Sequence, residues 1–341
     1  MSETGARVGP GGAFPFRFGL GVPTSGPFGQ VENVLRFADA GERLGFDDIW
    51  LNDHLDFDRA RMSGSPAGTL DAIKDQEPNF FESLTTAALL AGRLRRIGIA
   101  VGGLVAPLRQ PVVLAKQIAT IHELSGRRLT VAPGIGGGAR DFGLVQKKFE
   151  QRGKLLDEYL AALHAIWSSE YPVSFSGPTV SFEGATLYPR PVGLRLWVTG
   201  EGEPALRRVV KWAGGWFTAY PVLEELTPKI ARLRQLAEEA GRDPDTIDTA
   251  TIIFLCIASS HDKAMAIGGE TLSQRFRSSE RAQAVSIIGT AAEAREQLAE
   301  RFRAGLRYLE LRFVCDNPDS WVAMASEVSA DVLPALRTLT S

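Results

Sequence analysis

Four histidines are spread over 341 residues, and one of them stands where chemistry is easiest to picture. His54 closes the triplet Asn52-Asp53-His54, directly after the apolar run Asp48–Asn52. An imidazole titrates near neutrality, so it can donate or accept a proton or serve as a hydrogen-bond donor. The neighbouring Asp53 leaves a second reading open, in which the pair only orders the loop it begins. His122 and His164 fall inside helix-like runs and His261 at a helix start, which suits scaffold or surface roles. Asp53, His54, Asp56 and Asp58 are acidic enough to attract a cation, but enzymatic metal centres draw ligands from several separate elements. No metal is expected. Cys256 and Cys315 each end an apolar β-like run and read as buried, reduced thiols, with no zinc or disulfide spacing.

Two glycine-rich stretches come next. Pro133-Gly134-Ile135-Gly136-Gly137-Gly138-Ala139 matches G-x-G-x-x-A formally, yet Arg140-Asp141-Phe142-Gly143 does not look like the helix a dinucleotide fingerprint requires. Bare backbone here still permits close approach of a flat ring. Trp197-Val198-Thr199-Gly200-Glu201-Gly202-Glu203-Pro204 reads as strand, glycine turn and helix start, where free N–H groups cradle a phosphate. Glu201 and Glu203 oppose an anion there, and Arg207 and Arg208 are placed to offset them.

Positioning such residues takes a regular frame. Short β-like runs at 16–21, 48–52, 97–102, 129–132, 196–199, 216–218, 249–258 and 308–313 alternate with amphipathic helix-like runs, including 31–44, 112–125, 153–168 and 224–240. Asn79 with Glu82 and Thr290 with Glu293 have the spacing of capping boxes, and Pro111 suits a first helical turn. Residues 172–175 and 179–182 flank Ser176-Gly177-Pro178 and read as an inserted β-hairpin. Eight βα units in unbroken order predict an α/β fold, a (β/α)8 TIM barrel with a hairpin insertion. The aperiodic stretch 53–78 reads as an extended lid loop. Residues 1–14 read as a flexible tail and 15–341 as a single barrel domain. In that fold the site lies at the C-terminal ends of the strands, where His54 and both glycine stretches fall.

Composition removes other classes. Lys and Arg total 38 against 40 Asp and Glu, a formal charge of -2, which lacks the basic excess of a nucleic-acid binder. Apolar stretches such as Thr251–Ala258 are far shorter than the roughly 20 residues of a membrane span. Met1–Ala13 has no signal-peptide core, so a cytoplasmic location is expected. Neutral charge fits a small, uncharged organic substrate. An aldolase-like barrel would need a lysine or a carboxylate pair at a strand end, and Lys116 and Lys211 sit on helices.

Several segments together resemble the bacterial luciferase-like family of flavin and deazaflavin oxidoreductases. They are Ala40-Gly41-Glu42-Arg43-Leu44-Gly45-Phe46-Asp47-Asp48-Ile49-Trp50 leading to Asp53-His54, the run Pro107–Gln117, Leu124-Ser125-Gly126-Arg127-Arg128, Arg152-Gly153, Leu156-Asp157-Glu158, Gly289-Thr290 and Gly305-Leu306-Arg307-Tyr308. The resemblance implies an oxidoreductase, as a monooxygenase using O2 or as an F420-dependent dehydrogenase or reductase without oxygen chemistry. A non-catalytic flavin-binding relative is the remaining alternative. It implies reduced FMN or coenzyme F420 bound non-covalently at the mouth, with His54 as the catalytic residue. Cofactor contacts are implied at Asn52, Val101, Gly102, Gly103, Gly136, Gly137, Thr199, Gly200, Glu201 and Gly202. A separate flavin reductase is implied where FMN is used, and a homodimer is compatible. Two departures stand out: the fourth loop has glycine where sugar-phosphate dehydrogenases of the family carry glutamate, and Val101 stands where threonine is common. Sugar-phosphate oxidation is therefore not carried over.

Overall fold

Parallel strands joined by helical crossovers can satisfy all their backbone groups only if the sheet closes or its edges are covered. Here it closes. The structure, a computed structural model, describes residues 16–56 and 79–339. In chain order the strands are β1 (Arg17–Gly21), β2 (Asp48–Asn52), β3 (Gly98–Val105), β4 (Leu129–Gly134), β5 (Val173–Ser176), β6 (Ser181–Ala185), β7 (Arg195–Thr199), β8 (Gly215–Ala219), β9 (Asp248–Ile257), β10 (Ser286–Gly289) and β11 (Tyr308–Phe313). The neighbours β11-β1-β2-β3-β4-β7-β8 are joined through β9, which pairs with both β8 and β11. Those eight strands form the (β/α)8 barrel that the alternation predicts.

β5 and β6 pair antiparallel as a separate hairpin. The Glu158 carboxylate holds it, accepting from the Thr179 and Val180 amides at 2.7 Å each. β9 outruns β8: Ala219, the last residue of β8, pairs with Ile252, while β9 continues beside β11 to Leu255 and pairs with β10 from Phe254 to Ile257. Ser286–Gly289 has only four residues, too few for a two-residue period to register, so pattern alone misses this strand. Helices His261–Phe276 and Ser279–Val285 occupy the excursion between β9 and β10.

Local signals are mostly realised. Thr290 and Glu293 form a capping box, and Pro111 opens the helix Pro111–Leu124. Two readings need correction. Asn79 is not an N-cap: its amide donates to Gly29 O at 2.9 Å and Gln30 Oε1 at 3.2 Å, while Glu82 itself caps the helix Ser83–Arg93 by accepting from the Thr85 amide. Ala139–Leu144, expected to be non-helical, forms a short helix with Gly138 as its N-cap. The tail at 1–14 and the lid positions 57–78 lie outside the described residues.

Alternation sends every second side chain of a strand into the barrel. At the floor Asp48 is buried, paired with Arg17 at 2.8 Å and Arg195 at 2.7 Å. Above it Trp50 donates to the Tyr308 hydroxyl at 2.5 Å and stacks on Phe217 with ring centroids 4.5 Å apart. Tyr308 in turn donates to Asp48 at 3.0 Å. The indole fits only because facing positions are small: a Cβ on Gly102 would collide with the six-membered ring of Trp50. Gly102→Ala should cost about 1–3 kcal/mol through this overpacking, read as a lowered denaturation midpoint. An unchanged midpoint would contradict the packing described.

Candidate active site at the barrel mouth

The strand ends are fixed by one carboxylate. Asp53, which follows β2, is almost fully buried and accepts four hydrogen bonds of 2.6–2.7 Å. Their donors are the Ser83 hydroxyl, the Val105 amide and both terminal nitrogens of Arg109. Arg109 also pairs with Glu82 at 2.5 Å. Burial pushes the Asp53 carboxyl up, but the bonds and charge of Arg109, the Ser83 hydroxyl and the Val105 amide outweigh it and hold the group below its ordinary value. The Arg109 carbonyl is bound in turn by Lys147 at 2.7 Å and Tyr159 at 2.9 Å. Asp53 thus ties the end of β2 to the end of β3, to Ser83 and to Arg109. Arg109 was visible in the sequence only as part of a resembling segment, because nothing local marks it as the partner of a residue 56 positions away.

His54 follows Asp53 at the mouth. Its imidazole is half-buried and lies face to face with Phe80, centroids 5.9 Å apart. Phe80 is itself anchored by a bridge to Ser25 beyond β1. Asp56 pairs with Arg140, and its amide donates to Asp141 at 3.2 Å, so the start of the long loop docks on the short helix after β4. Among the described residues no group of His, Cys, Asp or Glu is arranged to hold a metal.

Asn52 continues the inward alternation of Asp48 and Trp50, with its partner Gly102 beside it on β3. The register of β3 against β4 shifts between Gly102 and Leu104. Gly103 at that irregularity has φ +74°, and a Cβ there would point into open space. This left-handed backbone and bare surface suit close approach by a planar ring. Val101 turns the other way, fully buried in the core between strands and helices. Gly137 opens onto free space, while Gly136 packs against Val105.

The last cluster is at the end of β7. Thr199 donates to Phe217 O at 2.8 Å. Gly200 accepts from the Trp216 indole at 2.7 Å, and Gly202 is the N-cap of the helix Glu203–Trp212. Glu201 bends onto β8, accepting from the Ala219 amide at 2.7 Å and Lys229 at 3.0 Å. Of the two arginines expected to offset the loop's acids, Arg207 does so and Arg208 does not. Arg207 pairs with Glu203, which Arg232 also holds, and Arg208 pairs with Asp157. The loop's acidic groups are thus neutralised by Lys229, Arg207 and Arg232, leaving the helix N-terminus electropositive.

The other histidines are scaffold or surface. His122 is buried, with Nε2 3.0 Å from Val192 O; His164 lies beside Trp212 and His261 beside Glu293. Cys256 and Cys315 are free, buried thiols, and burial pushes both up to about 12.

Bare glycine backbone, a helix N-terminus and a half-buried histidine thus stand at the strand ends of a closed parallel barrel. Residues 11–277 match the luciferase-like monooxygenase family, to which the chain belongs. The chain is 26% identical over 257 residues to an F420-dependent glucose-6-phosphate dehydrogenase of Nakamurella multipartita, covering 74% of this chain and 70% of that one. It is 28% identical over 275 residues to a phthiodiolone/phenolphthiodiolone dimycocerosates ketoreductase of a Mycobacterium species, covering 76% and 68%. Among solved structures, an F420-dependent secondary alcohol dehydrogenase superposes with a TM-score of 0.79 at 18% identity, covering 94% and 99%. The monooxygenase RslO1 of Streptomyces bottropensis gives 0.76 at 21%, again covering 94% and 99%. At such identities the superpositions establish the fold.

Removing the Asp53 charge should leave the largely buried Arg109 with Glu82 as its one remaining carboxylate among the described residues. Asp53→Asn is expected to lose about 3–5 kcal/mol near neutral pH. Because the folded carboxyl is held below its unfolded value, this contribution is full above about pH 4 and is lost as pH falls through the folded value. The gap between wild type and variant in denaturant unfolding should therefore shrink below about pH 4. A gap constant from pH 7 to 3 would assign the loss to something other than charge.

Proposed function

We propose that this chain is an oxidoreductase that takes reduced F420 or FMN at the barrel mouth and acts on a small organic substrate, with hydride transfer on F420 as the leading reading. The half-buried imidazole of His54 after β2 and the open, left-handed Gly103 on the neighbouring strand β3 carry it, since they supply a proton-active group and a surface open to a flat ring. The F420-dependent relatives at 26–28% identity weigh toward the deazaflavin. Monooxygenation with FMN is the second reading, favoured by the match over most of the chain to the luciferase-like monooxygenase family.

The residues present fit such a cofactor. Asn52, Gly102, Gly103 and Gly137 would lie along the ring, and the loop Thr199–Gly202 with the following helix N-terminus would take its phosphate side. When bound, the cofactor supplies the hydride or, for FMN, the activation of oxygen. The protein's own part is narrower. Trp50, Trp197 and Phe217 plug the lumen beneath the mouth and keep water from entering from below. Asp53 and Arg109 lock the ends of β2 and β3. His54 holds or delivers one proton at its imidazole, and Phe80 sets the ring's plane.

Binding of FMN and F420, each oxidised and reduced, followed by measurement of oxygen uptake, tests both readings. Tight F420 binding without oxygen uptake is expected; oxygen uptake with reduced FMN and a substrate would favour the monooxygenase instead. His54→Ala should lower turnover by roughly 100-fold or more with little change in cofactor affinity. Unchanged turnover would remove His54 from the chemistry.

A further inference from the structure

Away from His54, the mouth carries a second polar cluster that the proposed function does not use. Three arginines from different elements converge on Tyr220, the residue that follows β8. Arg275 donates to the Tyr220 hydroxyl at 3.1 Å and Arg312 to the same hydroxyl at 3.3 Å, while Arg281 donates to the Tyr220 carbonyl at 2.9 Å. Tyr220 adopts φ +55°, a backbone state costly for a side chain of this size, which persists only where the surroundings impose it.

The charges around the cluster do not cancel. Arg312 on β11 is neutralised by Glu310 at 2.6 Å. Arg281 has one carboxylate, Glu225, at 4.0 Å. Arg275 has no carboxylate within 4 Å among the described residues, and its buried Nε has no hydrogen-bond partner. Its guanidinium instead lies against the mutually stacked rings of Phe254 and Tyr220, 4.7 Å and 5.5 Å from their centroids. Stacking of this kind fixes the plane of the fork while leaving N–H donors to spare. A cation ordered in this way and left without a counter-charge is a prepared seat for an oxyanion.

We infer that Arg275 and Arg281, anchored on Tyr220, form a subsite for an anionic substituent of the substrate, a carboxylate, sulfonate or phosphate. The substrate class is then a small organic anion, not the uncharged molecule that the overall charge of the chain suggests. Net charge reports the whole surface, whereas recognition depends on the few groups at one rim. The inference deepens the proposed function by naming the substrate of the same mouth, but the subsite does not require a particular cofactor.

Calorimetric titration of the full chain, alone and loaded with F420 or FMN, with phosphate, sulfate and acetate at constant ionic strength in chloride tests this. Saturable binding of at least one of the three is expected, weakened on the order of tenfold or more in Arg275→Gln. Binding should persist in Arg234→Gln, a surface control. Which anion binds most tightly then distinguishes carboxylate from phosphate or sulfonate recognition. Cofactor affinity should not change in Arg275→Gln, which separates this subsite from the glycine loop after β7. Should Arg275→Gln fail to fold by circular dichroism, Arg281→Gln provides the same comparison. No saturable anion binding by the wild type, or equal binding in the folded variants, overturns the inference. Arginine-dependent anion binding by a chain that binds neither cofactor would keep the subsite and sink the oxidoreductase reading.

Discussion

A carboxylate buried at the end of a strand must find donors for both oxygens or lose its charge. Asp53 finds four, from the helix Ser83–Arg93, the end of β3 and the loop that follows it. That requirement ties β2 to β3 at the mouth. Through Arg109, Lys147 and Tyr159 it reaches the segment after β4 and the helix Arg152–Ser168. His54 is the next residue along, so its backbone position is set by this network.

Below this network the lumen is filled rather than open. Trp50, Trp197, Phe217 and Tyr308 are buried and in mutual contact. The glycines and alanines opposite them on β1, β3 and β4 make room. Large rings from some strands against bare backbone from others give a floor of fixed height, so the space for a cofactor and substrate begins at a defined level. β9 continues beyond its pairing with β8 to join β10, and the helices between these two strands carry Arg275 and Arg281.

Much of this frame was legible in advance. All eight barrel strands and the hairpin follow from two-residue and 3.6-residue periods, and the Thr290–Glu293 cap from spacing alone. Misreadings cluster where local preference was overruled by a distant partner. Asn79 has the chemistry of a cap but is used by Gly29 and Gln30. Ala139–Leu144 begins among glycines yet closes a helix. Arg208 stands near the phosphate-type loop in sequence and turns to Asp157 instead.

By itself the sequence determined the element order, hence the parallel barrel, and the place of His54 and the glycine loops at the strand ends. Those follow from short-range periodicity and from the rule that such strands all end on one face. Only the tertiary structure decided that Asp53 belongs to Arg109 and that Val101 turns away from the lumen. It alone brought Arg275, Arg281 and Arg312, from three separate elements, to a single tyrosine. The reason is physical: periodicity records which face of an element is buried, whereas the pairing of charges between elements depends on the closure and stagger of the barrel, which no local stretch of chain encodes.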